Sequence, residues 1–302
     1  MKTGKRLNET QLKDKLYMAF SYVLVILLAI LFTFPLYWII TGSFKNGAEI
    51  GANPPVWWPS ELNMSNFERL MDRRTAPLFE MPLGAITITG PKIPGALRWL
   101  INTVFMSVTA MLLTCLTSAM AGYVLAKKNF WGRGIIFGMI VCAMALPKQV
   151  ILIPLIREMK TLHLYDTIWA VIFPIVGWPF GVFLLKQFAE GIPGEMVEAA
   201  RIDGAGEFRI FFNILMPSIK PGWLTLIVFA VQNFWNQGSS IYIYREELKT
   251  LSYALGQISG AGIARTGVSM AIQIVMMSVP VIVFVITQSN IVETMATSGM
   301  KD

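Results

Sequence analysis

The sequence predicts an all-α polytopic membrane protein of about six transmembrane helices, and three observations carry that prediction. The chain of 302 residues is 55% hydrophobic and only 14% charged, whereas a soluble globule carries roughly a quarter charged residues. Its mean hydropathy is +0.58. Charge-free stretches near or beyond the ~20 residues that cross a bilayer recur along it. They cover residues 16–44, 99–126, 167–185, 223–244 and 266–292, and a sixth, 134–156, is interrupted by Lys148.

Taken in order, residues 1–15 form a basic leading segment with Lys2, Lys5, Arg6, Lys13 and Lys15. The first apolar run exceeds the ~7–15 residues of a signal-peptide core and no small-residue cleavage pattern follows it, so 16–44 is expected to stay as a span. The loop 45–97 contains Trp57, Trp58 and seven prolines from Pro54 to Pro94, which argue against one long helix. A cap of short helices and turns is expected there, and a docking surface for an outside partner is the sharper alternative. Residues 98–290 form the transmembrane core. Span three should break at Leu146-Pro147, with Pro154 close behind, and span four carries Pro174 and Pro179. Such prolines free backbone carbonyls, which only protein or a watery cavity can receive inside a membrane. Cys115 and Cys142 fall inside spans and read as small buried hydrophobes. Residues 291–302 form a tail.

Basic clusters set the orientation. The leading segment, the connection with Lys127, Lys128 and Arg133, the connection with Lys186, Arg201, Arg209 and Lys220, and Lys301 fall on one side if there are six spans. That side is expected to be the cytoplasm, with both termini on it. The net charge of +7 is therefore a membrane-orientation signal rather than a nucleic-acid footprint.

One connection, 190–221, stays charged and glycine-broken within a greasy chain. Pro193 is placed for a helix first turn, and Glu195 and Glu198 favour the positive end of its dipole. Asp203-Gly204 should end this helix, since glycine accepts the left-handed exit conformation. A second helix from about Ala205 would carry Phe208, Phe211, Phe212 and Leu215 on one apolar stripe, ending at Pro217 and Pro221. Geometry alone leaves a plain connector and a functional joint equally open.

The string EAARIDGAGEFRIFFNILMP (198–217) resembles the signature EAA loop of ABC-importer permeases. The stretches FPLYWIITGSFK (34–45), LPKQVILIPL (146–155), FPIVGWPFGVFLLKQF (173–188), VQNFWNQ (231–237) and the ending QSNIVETMATSGMKD are similar to maltose-type carbohydrate importer permeases. The resemblance implies a type I ABC importer permease fold. It also implies that Glu198, Ala199, Ala200, Asp203, Gly204 and Phe208, with Pro217 closing the motif, seat in a cleft of an ATPase subunit. Two departures stand out: the tail ends Ser-Gly-Met-Lys-Asp, and the 45–97 loop is longer than in plainer members.

No Gly-x-x-x-x-Gly-Lys-Ser/Thr occurs, so this chain has no P-loop; no cofactor is expected in it, and ATP and Mg would be bound by a partner ATPase. The resemblance implies a second, homologous permease subunit, two ABC ATPase subunits, an extracytoplasmic solute-binding protein and a sugar substrate, in a bacterial plasma membrane. Membrane lipid is a partner by composition, and nucleic acid is not. Aromatic faces and amides that could grip a sugar are Gln149, Trp178, Gln232, Asn233, Trp235, Asn236 and Gln237; interhelical hydrogen bonding is the other use open to them. Lys148 either lines the pathway, which would suit an acidic sugar, or snorkels to the interface. A membrane enzyme would need a convergent catalytic set, but the sole histidine, His163, lies in a loop. An ion channel would need a filter or a ring of charge, and neither is visible. A non-sugar solute is the remaining alternative.

Overall fold

The computed structural model describes residues 9–71, 75–77, 80–83, 86–238, 242–260, 262 and 265–298. A long first helix, α1 (Glu9–Ser43), leads through short helices α2 (Gly47–Ile50) and α3 (Ser65–Met71) to α4 (Gly95–Lys127). There follow α5 (Arg133–Met144), α6 (Lys148–Thr161), α7 (Trp169–Val176), α8 (Pro179–Glu190), α9 (Gly194–Ile202) and α10 (Glu207–Ile210). A π-helical turn (Phe211–Leu215) passes into α11 (Met216–Ser218) and α12 (Lys220–Trp235); α13 (Leu251–Ser259) and α14 (Thr266–Ser298) complete the chain. Among the described residues, three helices are long and apolar enough to span a membrane, and up to six spans result if each bent pair counts as one.

The bends fall at prolines. α5 and α6 meet at 109° and α7 and α8 at 41°, with Pro147 and Pro179 at the junctions. Each proline frees the carbonyl four residues earlier, and the fold supplies donors. Thr114 Oγ1 lies 3.5 Å from Ile175 O, the carbonyl freed by Pro179. Within α14, Pro280 frees Met276 O, which accepts from the indole Nε1–H of Trp235 at 2.7 Å.

The centre of the bundle is α4. Its buried positions Thr103, Ser107, Ala110, Thr114, Ser118 and Gly122 recur every three or four residues, while Ile101, Val104, Phe105, Val108, Leu112, Leu116, Met120 and Val124 face outward. Small and weakly polar residues point in and aliphatic ones point out, as expected where lipid is the solvent and close backbone approach drives helix association. α8 takes advantage of it. A Cβ on Gly122 would lie 2.9 Å from Lys186 N, and one on Gly181 would lie 2.5 Å from Ser118 Oγ. Ser118 Oγ is buried without a hydrogen-bond partner, so its part in the crossing is its small size.

Several expectations are corrected. The 45–97 stretch is not only helices and turns: strands β1 (Thr75–Pro77), β2 (Glu80–Leu83), β3 (Ile86–Thr89) and β4 (Lys92–Pro94) pair antiparallel, β1 with β4 and β2 with β3. Alternating β-branched residues such as Ile86-Thr87-Ile88-Thr89 suit that backbone. Span five stops at Trp235, short of residue 244, because the amides from Asn236 onward leave the helix; Asn236 O accepts from Ser252 Oγ at 3.1 Å. Cys142 is exposed rather than buried, since α5 buries no residue of its own in this chain; Cys115 is half-buried. Residues 1–8 and 299–302, with Lys301 among them, lie outside the described residues.

Two ends of the bundle can be told apart. At the loop end, Arg98 Nε donates to Glu247 O at 3.1 Å and Asn102 Nδ2 to Lys249 O at 3.0 Å, pinning the 245–250 turn onto α4. There Asp166 accepts from the amides of Tyr244 and Arg245 and pairs with the Arg245 guanidinium at 3.0 Å. Partial burial works against the Asp166 carboxylate, but these donors outweigh it and hold its pKa below the ordinary value. The opposite, charged end carries α9 to α11.

Candidate functional site

The bend between α9 and α10 is closed by backbone hydrogen bonds. Gly204 N donates to Arg201 O at 3.0 Å and Ala205 N to Ala200 O at 2.9 Å, the paired bonds of a Schellman motif. Gly204 sits at φ +79°, in the region that side chains with a Cβ resist. A Cβ built on it would meet nothing within 4 Å. The glycine is therefore demanded by backbone conformation and not by crowding within this chain.

The corner presents a distinct surface. Glu198, Ala199, Asp203 and Gly204 are exposed, and Ala200 is half-buried against the core beneath. Two large apolar side chains stand out beside them, Ile202 at 86% and Phe208 at 74% exposure. Pro217 is also exposed, within α11. The expected single stripe of Phe208, Phe211, Phe212 and Leu215 is corrected. The π turn spaces its bonds five residues apart, so Ile210, Phe211 and Leu215 turn inward while Phe208 and Phe212 stay out.

Beneath this surface lies a continuous apolar cluster. Ala119 and Tyr123 of α4, Leu185 and Ala189 of α8, Val197 of α9, and Ile210, Phe211 and Leu215 beyond the bend meet Ile219 and Leu226 at the start of α12. Glu207 adds a polar tether that the sequence left unassigned. Its carboxylate accepts from Tyr123 Oη at 2.8 Å, pairs with Lys128, and lies 3.3 Å from Arg201 Nη2. The hydrogen bond from Lys128 is foremost among the causes that hold its pKa below the ordinary value. Lys127 Nζ donates to Ile192 O, and Lys186, buried, pairs with Glu190 at 2.6 Å over the Phe137 ring. The exposed corner is thus packed onto three membrane helices, α4, α8 and α12.

A second feature lies where the broken helices face each other. A cavity of about 430 Å³ is walled by Met144 and Leu146 at the α5–α6 break, Pro174, Trp178 and Phe180 around the α7–α8 break, Asn233 of α12, and Gln237 and Tyr242 from the chain beyond it. Three of the predicted polar and aromatic candidates, Trp178, Asn233 and Gln237, are brought together here. Gln149 is exposed on α6, Gln232 is exposed on α12, and Asn236, exposed at the C-cap of α12, donates from Nδ2 to Gln232 O at 3.0 Å. Trp235 is corrected to a core residue: it is 2% exposed, and its indole serves the carbonyl freed by Pro280. The side chain of Lys148 lies outside the described residues. Phe180 and Tyr242 were missed, because nothing in their local sequence separates them from aromatic core.

Residues 118–295 match the family described as "Binding-protein-dependent transport system inner membrane component". The chain belongs to this family. The matched segment contains both the bend and the cavity. Among relatives, the permease is 30% identical to the arabinooligosaccharides transport system permease protein AraQ of Bacillus subtilis, over 77% of each chain. It is 29% identical to the diacetylchitobiose uptake system permease protein NgcG of Streptomyces coelicolor, over 74% of this chain and 68% of that protein. Its fold is similar to a solved bacterial ABC transporter involved in import of the acidic polysaccharide alginate, with a TM-score of 0.72 at 21% identity, covering 96% of this chain and 99% of the other. This family is one of transport permeases, not enzymes.

Proposed function

We propose that this chain is half of the translocation pathway of an ATP-driven, binding-protein-dependent importer for a sugar or oligosaccharide. It would sit in a bacterial plasma membrane with both termini and the Gly204 bend in the cytoplasm. One observation carries the coupling part of this reading: the elements that flank an exposed, Schellman-closed corner share one apolar cluster with α4, α8 and α12. A partner that pushes on Glu198, Ala199, Ile202 and Phe208 moves those helices as one body, and the cavity between their broken neighbours changes shape with them. With no P-loop in this chain, ATP and Mg would be bound by two separate ATPase subunits. A second, related permease would close the pathway, and an extracytoplasmic binding protein would deliver the solute.

Cysteines placed at Ala199 and Phe208 of the complete transporter should crosslink to the ATPase subunit. One placed at Leu162, exposed at the loop end, should not. Failure of both coupling-side cysteines, or capture of the ATPase from Leu162, would overturn the reading.

The sugar class is supported by the relatives' chemistry and by the aromatic and amide lining of the cavity. An acidic sugar is favoured by Lys148 at the head of α6, beside the break. Lys148→Gln is expected to lower uptake of an acidic oligosaccharide and leave a neutral one unchanged, measured with labelled substrates in vesicles. Equal effects on the two would remove the acidic assignment.

A further inference from the structure

Between α1 and α3 the chain folds back down the side of its own first span. Tyr37 Oη donates to Trp57 O at 2.8 Å, and the Trp57 ring lies 6.1 Å from the rings of both Phe34 and Trp38. Phe34 and Trp38 stand nine and five residues before the end of α1 at Ser43, so Trp57 lies beside a level roughly 8–13 Å below that end at 1.5 Å per residue. The return is built, not loose. Lys45, 1% exposed, donates to Val56 O at 2.5 Å and lies over the Trp38 ring at 4.4 Å. Glu49 closes a capping box with Asn46 and also accepts from Ser60 N at 2.9 Å.

That level coincides with a change of surroundings along α1. Every described side chain from Lys13 to Leu36 is exposed, whereas Thr41, Ser43 and Lys45 are buried. About 20 residues cross the hydrocarbon, and counted from Leu16 they arrive near Pro35, at the height of Trp57. The lobe's exposed apolar surface, Trp57 at 58% and Trp58 at 64%, thus continues the bare surface of α1 at the depth where tryptophan favours a membrane interface. We propose that residues 53–62 are an interfacial anchor, with Trp57 and Trp58 seated among phospholipid headgroups at the loop end. They would fix the depth of α1, whatever solute the protein carries.

The test uses the complete transporter in phosphatidylethanolamine and phosphatidylglycerol vesicles, with a nitroxide on Trp58→Cys in a Cys115→Ser, Cys142→Ser background. Collisions with oxygen should exceed those with a water-soluble nickel chelate several-fold, relative to a reference label at Glu195 on α9. A ratio equal to that reference would place the lobe in water and overturn the proposal. Collisions with neither reagent would show a second subunit covering it, and chelate access lost only on adding the binding protein would show a docking site; each overturns it too. Independently, the Trp57→Phe, Trp58→Phe double variant should lose part of the tryptophan quenching by lipids brominated near the headgroup. Unchanged quenching refutes the anchor.

Discussion

Substitution at Gly204 separates a conformational requirement from a requirement for space. The residue holds φ +79° and a Cβ there would touch nothing within this chain, so the intramolecular penalty is that of a left-handed backbone alone. For an ordinary residue it is roughly 1–2 kcal/mol, with asparagine less opposed. That penalty lowers the population of the closed bend relative to unwound alternatives by about 5- to 30-fold. Gly204→Asn should therefore retain more solute-stimulated ATP hydrolysis than Gly204→Ala, which should fall about fivefold, and Gly204→Val should retain least. Tight seating in a partner would give the opposite order at the first step, because alanine is smaller than asparagine. The assay is ATPase activity of the reconstituted transporter with loaded binding protein. Alanine at wild-type level, or asparagine below alanine, would refute the assignment of this glycine to backbone conformation.

Glu207→Gln should leave thermal stability nearly unchanged, since the carboxylate is half-exposed and exposed pairs contribute under ~1 kcal/mol, yet reduce stimulated ATPase; exchanging charge with Lys128 should restore part of it. Because the Glu207 pKa is depressed, its contribution is complete at neutral pH and is lost only as pH falls below the ordinary carboxylate range, which acid titration of the tether would check. Gly122→Leu should lower the melting temperature of the purified transporter through overpacking of about 1–3 kcal/mol, whereas Ser118→Ala should be neutral or stabilising, its hydroxyl being without a partner. Trp235→Phe should cost about 1–3 kcal/mol by orphaning Met276 O. Pro280→Ala should recover much of that loss by restoring an intrahelical donor, read as coupling in a double-mutant cycle of unfolding midpoints.

Legibility in the sequence followed the range of the interaction. Most of the spans, the break at Pro147 and the glycine exit at Gly204 come from single-residue backbone rules and could be read directly, whereas the rule for proline does not tell the break at Pro179 from the unbroken helix at Pro174. Trp235 could not: its neighbours Gln232, Asn233, Asn236 and Gln237 make the segment look wholly polar, and only the register of α14 puts Met276 O against the indole. Glu207 was visible as a charge but not as a tether, because Tyr123 and Lys128 lie far away in sequence. The stripe on Phe208 to Leu215 misled because a constant helical period was assumed across a π turn. The β pairs of the 75–94 stretch were hidden by prolines, which exclude helix without announcing a ladder.

These differences bear on how force would cross the molecule. A uniform amphipathic helix after Gly204 would rest flat on the membrane face and could slide along it. The π turn instead drives Phe211 and Leu215 into the same apolar cluster as Leu185 and Leu226, while Phe208 remains available outside. Close packing resists gradual shear. Displacement of the corner is therefore passed to α8 and α12 together, and each of them abuts the cavity: α8 through Pro179 and Phe180, α12 through Asn233 and Phe234. A load applied at the bend would reach the cavity walls through this shared cluster, past the 78° turn at Ile219 that separates α11 from α12.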